Sequence, residues 1–395
     1  MNQLSYIKVI ILMMMPLMAT GQSYNYLEIN VPKFELPDLF KDLSGKDITT
    51  VKDWETTRRP EILHLLGEHV YGHIRNDFDE ITFTLVNRES NPLPNKAIFK
   101  QVAITVRKQN KQHTFHLDLF IPKAGKGPYP VFLMVTRRNK GFIENEYKLG
   151  SWPVETILDR GYAISAFHVS DVTPDDKKRF GEGILSTLYP DELEKPNGMR
   201  ALSAWAWAAM RVMDYFEQDK DIDINRSAMV GHSRAGKAAL WAGANDTRWA
   251  ITISNQSGAG GAAISRRAFG ETVKKLNSSF PHWFTDNFAA YNDKEENLPV
   301  DQHFLIGAIA PRTVYVASAK LDRWADPKGE YLGLKNGIEV HKKIYGLDIS
   351  LPEDFLSINE PEHHRHAGYH LRVGKHAFPI YDWERFLDFA DLQFK

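Results

Sequence analysis

The stretch Gly231-His232-Ser233-Arg234-Ala235-Gly236-Lys237 constrains this chain more than any other. The apolar run Ala228-Met229-Val230 leads into it, and the helix-forming run Ala238-Ala239-Leu240-Trp241 leaves it. A chain that passes from strand to helix across Gly-x-Ser must turn sharply, which lifts the serine hydroxyl clear of the sheet edge. The N–H groups of the new helix then point at any negative charge that develops beside it. Ala235 stands where such turns usually carry a second glycine, and Gly236 follows one position later. The motif alone leaves a plainer reading open, a serine capping its own helix in an ordinary turn.

Segments on either side alternate in period. Residues 101–106 and 115–121 read as half-buried strands, and 130–135 is apolar throughout, as a central strand covered on both faces would be. Residues 154–159 read as helix, 162–167 as strand and 201–216 as an amphipathic helix. Strands at 250–253 and 313–317 and a closing helix at 381–389 complete the pattern. A helical stretch spans the region from Val51 through Pro60 to Leu66. Alternation of this kind predicts an α/β-hydrolase fold, a three-layer α/β/α sandwich with a mostly parallel central sheet. One catalytic domain over 22–395 is expected, with 257–298 as an insertion that shapes the pocket.

Composition narrows the partners. The chain has 49 basic and 50 acidic residues, so it lacks the basic field that nucleic acid or an anionic membrane surface requires. Nine tryptophans suit sugar stacking and core packing alike. Lys8, the apolar run 9–15 and Ala19-Thr20-Gly21 read as a secretory signal over 1–21, too short to span a membrane. With no cysteine anywhere, neither a lipid-anchor cysteine nor a disulfide is available. A periplasmic or secreted monomer without cofactor is the expectation.

A serine nucleophile needs a base, and the base needs an orienting acid; in this fold they follow in the order Ser, acid, His. Asp322, just beyond the strand at 313–317, lies where the acid belongs, with Asp326 a near competitor. His363, His364, His366, His370 and His376 are the candidate bases. His376, in the turn Gly374-Lys375-His376-Ala377 before the closing helix, is the choice. The other four match no zinc-ligand spacing and are read as surface or supporting histidines, with no metal expected.

At this point a resemblance becomes specific. Gly231-His232-Ser233-Arg234-Ala235-Gly236-Lys237 resembles the G-x-S-R-x-G-K signature of the glucuronoyl esterases, carbohydrate esterase family 15. Gly258-Ala259-Gly260-Gly261, Phe280-Pro281-His282-Trp283-Phe284, Leu298-Pro299-Val300-Asp301-Gln302-His303 and Trp324-Ala325-Asp326-Pro327 are similar to stretches of bacterial members. So are Trp54, Arg58-Arg59-Pro60 and Val70-Tyr71-Gly72, and the likeness runs through the mature chain. It implies cleavage of esters between glucuronate side chains of xylan and lignin alcohols. It implies Ser233 as nucleophile, His376 as base and then acid, and Arg234 as oxyanion stabiliser. Lys237, Glu271 and Trp324 would contact the glucuronate.

Two departures stand out. Many members carry the acid soon after the elbow, where this chain reads Asn255-Gln256-Ser257, and a neutral Gln256 cannot stabilise an imidazolium. The role passes to Asp322, so Asp322→Asn should be severe and Gln256→Ala mild. The loop Thr136-Arg137-Arg138-Asn139-Lys140-Gly141 lacks the family's Asn-rich stretch, which leaves the second oxyanion donor unassigned. An acetyl or feruloyl esterase and a non-catalytic polysaccharide-binding relative are the competing readings.

Overall fold

The computed structural model describes residues 24–89, 93, 95–136, 151–355 and 360–395. The leader at 1–21 and the 137–141 loop lie outside the described residues. Ten strands form one sheet: β1 (Glu80–Glu89), β2 (Ala97–Lys108), β3 (Lys111–Pro122), β4 (Tyr129–Thr136), β5 (Ala163–His168), β6 (Ile222–His232), β7 (Ile251–Asn255), β8 (Thr313–Ala319), β9 (Glu362–His364) and β10 (Ala367–Arg372). Their spatial order is β1-β2-β3-β5-β4-β6-β7-β8-β10-β9. From β5 through β10 every neighbouring pair is parallel. The first three strands and the terminal β9 join antiparallel.

The expected mostly parallel α/β-hydrolase sheet is therefore what the chain forms. β4 lies between β5 and β6, and its apolar run from Val131 to Val135 is buried. Five helices matter for the site: α1 (Val154–Asp159), α2 (Ala201–Phe216), α3 (Arg234–Asn245), α4 (Pro327–Gly337) and α5 (Ile380–Phe394). All of α2 but Asp214 is buried, so its hydrophobic residues cover the whole circumference rather than one stripe. Alanines on α2 and α3 let these helices lie close to the sheet, and a Cβ at Gly243 would stand 2.3 Å from Thr252 Oγ1 on β7.

The strand signal at β10 was too weak to read. Ala367-Gly368-Tyr369-His370-Leu371-Arg372 contains no β-branched residue, yet it pairs in parallel with β8 over its whole length. Of the histidines read as surface or supporting residues, His370 is not at the surface: it is only 1% exposed inside the sheet. Its Nδ1 lies 3.0 Å from the Tyr315 hydroxyl, which also lies 2.9 Å from His363 Nε2. Among the described residues no group of histidines and carboxylates is placed to hold a metal ion.

Candidate active site

Ser233 links the end of β6 to the start of α3 with φ 58° and ψ −128°, a conformation that costs a non-glycine residue energy. The Ser233 N–H donates to Asn255 O at 2.8 Å, and the Ser233 carbonyl accepts from Gly236 N–H at 2.8 Å. Glycine is required two residues before it, since a Cβ on Gly231 would lie 2.1 Å from the Ala235 carbonyl oxygen. A Cβ on Gly236 would meet Gly231 O at 3.0 Å and Ser257 Cβ at 3.1 Å. The tight approach to the neighbouring loop thus falls at 236, which explains why Ala235 is tolerated in the usual glycine position. Arg234 opens α3, where the first backbone N–H groups have no partner within the helix.

Asp322 and His376 come together from two strand ends. The Lys320 and Leu321 N–H groups each donate at 2.9 Å, to Arg372 O and Gly374 O, so the turns after β8 and β10 are tied side by side. His376 Nδ1 then lies 2.6 Å from Asp322 Oδ2, with the carboxylate buried and the imidazole 42% exposed. The His232 ring packs 4.6 Å from His376 and stacks at 5.4 Å on Phe378. Asp326, the competing acid, caps α4 by accepting the Gly329 N–H at 3.0 Å and binds Arg267 Nε at 2.7 Å. It is fully engaged away from His376.

A cavity of about 380 Å³ collects Ser233, Arg234, Lys237, Glu271, Trp324 and His376. Gln256, Ser257, Lys275 and the Phe280–Trp283 pair complete much of its wall. The residues expected to act on substrate therefore share one cavity. Lys237 is no solvated helix-start cation: its Nζ donates to Glu271 Oε2 at 2.8 Å and to the Ala259 carbonyl. Burial holds its ammonium below the ordinary lysine range, and Glu271 opposes that shift. The Trp324 indole N–H donates to Glu271 Oε1 at 3.3 Å, so this carboxylate joins both partners.

Two arrangements in the site could not be read from the sequence. Asp175 accepts from Arg234 Nη1 at 2.7 Å and Trp283 Nε1 at 2.8 Å, and lies 3.0 Å from His282 Nε2. The Arg234 guanidinium rests 4.4 Å over the Trp283 ring, which is itself stacked on Phe280 at 3.8 Å. Ion pair and cation–π contact together fix the cation beside Ser233.

The second arrangement surrounds Gln256. Its amide donates to Ala377 O at 2.7 Å and to Asn255 Oδ1 at 2.8 Å, and its Oε1 accepts the Ala377 N–H at 3.2 Å. Arg372 Nη2 donates to Ala377 O at 2.8 Å and to Lys375 O at 3.0 Å. Buried Asp382 anchors this group, accepting from Asn255 Nδ2 at 2.9 Å and Arg372 Nε at 3.3 Å, with His370 Nε2 3.1 Å away. Gln256 is thus a two-point clamp on the residue beside His376.

Comparison with known proteins places the whole chain. The family model for glucuronyl esterase of fungi matches residues 104–345. Carbohydrate esterase MZ0003, from an unknown prokaryotic organism, is 38% identical over 94% of this chain and 93% of its own. A promiscuous esterase of carbohydrate esterase family 15 from a marine bacterial metagenome superposes with a TM-score of 0.83. It is 37% identical, covering 93% of this chain and 99% of its own. The glucuronoyl esterase from Solibacter usitatus also gives 0.83, at 36% identity over 93% of this chain and 100% of its own. Shared sequence over most of the length, on a shared fold, places this chain in carbohydrate esterase family 15, the glucuronoyl esterases.

Proposed function

We propose that the protein is a serine esterase that cleaves the ester between a glucuronate side chain of xylan, 4-O-methylated or not, and a lignin alcohol. The observation that carries this reading is one cavity lined by Ser233, by His376 held on Asp322, and by the Lys237–Glu271–Trp324 group. The first set is suited to acyl transfer. The second offers an ammonium, a carboxylate and an indole N–H, donors and an acceptor that match the hydroxyls of a sugar ring.

In the first step the Ser233 hydroxyl oxygen attacks the ester carbon while His376 Nε2 takes its proton. Asp322, against Nδ1, holds the ring and stabilises the imidazolium. The carbonyl oxygen becomes an oxyanion near the Arg234 backbone N–H at the start of α3. The Arg234 guanidinium, held over the Trp283 ring in the same cavity, adds positive charge beside that oxyanion. The C–O bond to the alcohol then breaks, and the imidazolium gives that oxygen its proton. Water, deprotonated by His376, attacks the acyl-Ser233 ester and releases glucuronate with the serine restored. Secretion after removal of residues 1–21 would bring the enzyme to such a polymeric substrate.

Hydrolysis of benzyl glucuronate by residues 22–395, beside Ser233→Ala and with acetylated xylan as control, tests the proposal. Glucuronate release that disappears in the variant, with little acetate release, is expected. Acetate release alone would overturn the substrate and favour an acetyl esterase; no release from either would favour a binding protein.

A further inference from the structure

The loop that carries Asp322 and Trp324 borders two cavities. Trp324 and Ala325 line the one around Ser233, whereas Arg323 and Asp326 line a second, also of about 380 Å³. The two share no lining residue, although Phe269 belongs to the second and Glu271 to the first. Both have the size of small-molecule clefts.

The wall of the second cavity is aromatic and its rim is cationic. The Tyr26 ring meets Phe269 edge-on at 6.2 Å, and the Arg323 guanidinium lies 5.2 Å over Tyr26. The carboxylates in the wall are already engaged: Glu28 binds Arg267 at 2.6 Å and Lys328 at 2.9 Å, and Asp326 binds Arg267 at 2.7 Å. Lys320 and Arg323 are exposed on the same rim, with no carboxylate within ion-pair distance among the described residues. Exposed cations left without counter-charge beside an aromatic wall attract an anion that also has a ring to stack. An inorganic anion would make no use of the aromatic wall, and a neutral saccharide no use of the charges.

We propose that this cavity is a second saccharide site that takes a free, unesterified uronate on a xylan oligosaccharide, its carboxylate meeting Lys320 and Arg323. The choice of occupant rests on the reading of the Ser233 cavity as a glucuronate esterase site. The loop between the cavities would let a polymer with several uronates engage both, one esterified and one free. Small model esters would use only the first.

Calorimetric titration of Ser233→Ala with an acidic glucuronoxylo-oligosaccharide tests the site, with a neutral xylo-oligosaccharide of equal length as comparison. Adding Lys320→Gln and Arg323→Gln should weaken the acidic ligand on the order of ten-fold, the scale of losing charge-assisted contacts. Raised salt should do the same, and the neutral ligand should bind weakly and be indifferent to both changes. Equal affinity for the acidic ligand with and without the two cations would overturn the proposal, since binding at Ser233 alone gives that result. So would preference for a neutral phenolic dimer over the acidic saccharide. In the active background, Lys320→Gln/Arg323→Gln should leave benzyl glucuronate hydrolysis unchanged. If the unaltered enzyme fails on that ester, the esterase reading falls while the titration still reports on the second site.

Discussion

At the scale of single residues, the arginine after the nucleophile does not position itself. Arg234 is held by Asp175 and by the Trp283 face, and Asp175 takes the Trp283 indole N–H as well. Asp175→Asn keeps the shape but removes the charge that orients the guanidinium. It should lower kcat by roughly ten- to a hundred-fold with little change in KM, as expected when a stabiliser of the transition state is loosened. Steady-state kinetics on benzyl glucuronate checks this, and an unchanged kcat would exclude the role. For the two acids, Asp322→Asn should cost on the order of 10⁴-fold in kcat. Asp326→Asn should lower the melting temperature through the cap and the Arg267 pair, with kcat largely kept; the reverse ranking would refute the assignment. Asp322 was legible because the fold places an acid just past that strand. Asp175 was not, because its partners lie 59, 107 and 108 positions away and nothing local marks it.

At the scale of elements, the base depends on a strand the sequence hid. The parallel strands around the elbow and the α2 helix were readable from apolar runs and helical period. β1 was missed, and so was β10, where no β-branched residue strengthens the strand signal of Tyr369 and pairing with β8 decides the outcome. The turn after β10 carries His376, and Gln256 fastens that turn through Ala377. The mild effect expected of Gln256→Ala is therefore revised: kcat should fall about ten-fold, because small displacements of a catalytic base are costly. Gln256→Glu adds a more specific reading. Gln256 and His376 line one cavity, so a carboxylate there would favour the imidazolium and raise its pKa. The acid limb of the kcat/KM profile should move to higher pH in Gln256→Glu and stay in place in Gln256→Ala. Identical limbs in all three proteins would exclude an approach of residue 256 to the base.

At the scale of the whole molecule, burial of ionisable groups sets how stability depends on pH. Glu330 on α4 is fully buried behind the site, accepting from Gly258 N–H at 3.0 Å and Ser318 Oγ–H at 2.6 Å. Burial pushes its pKa up to about 8 from 4.5, against the effect of those bonds. Between these values the folded chain holds one more proton than the unfolded chain, so this group lowers stability as pH rises from 4.5 to 8. His303, His341 and His363 act in the opposite sense, because burial drives each down to about 4 from 6.5. There the unfolded chain holds the extra protons, and their contribution is full above 6.5 and lost as pH falls toward 4. Where these windows overlap, the three histidines outweigh the one glutamate, so these four groups together favour stability that climbs to about pH 6.5, and among them Glu330 alone favours a decline from there toward pH 8. Glu330→Gln removes the ionisation while keeping an acceptor for Gly258 N–H. Its melting temperature should be flatter than that of the parent above pH 6.5 and rise more steeply than the parent's below it, where the Glu330 contribution no longer opposes the histidines. An equal decline in both proteins would mean that the buried carboxyl of α4 does not govern the alkaline side.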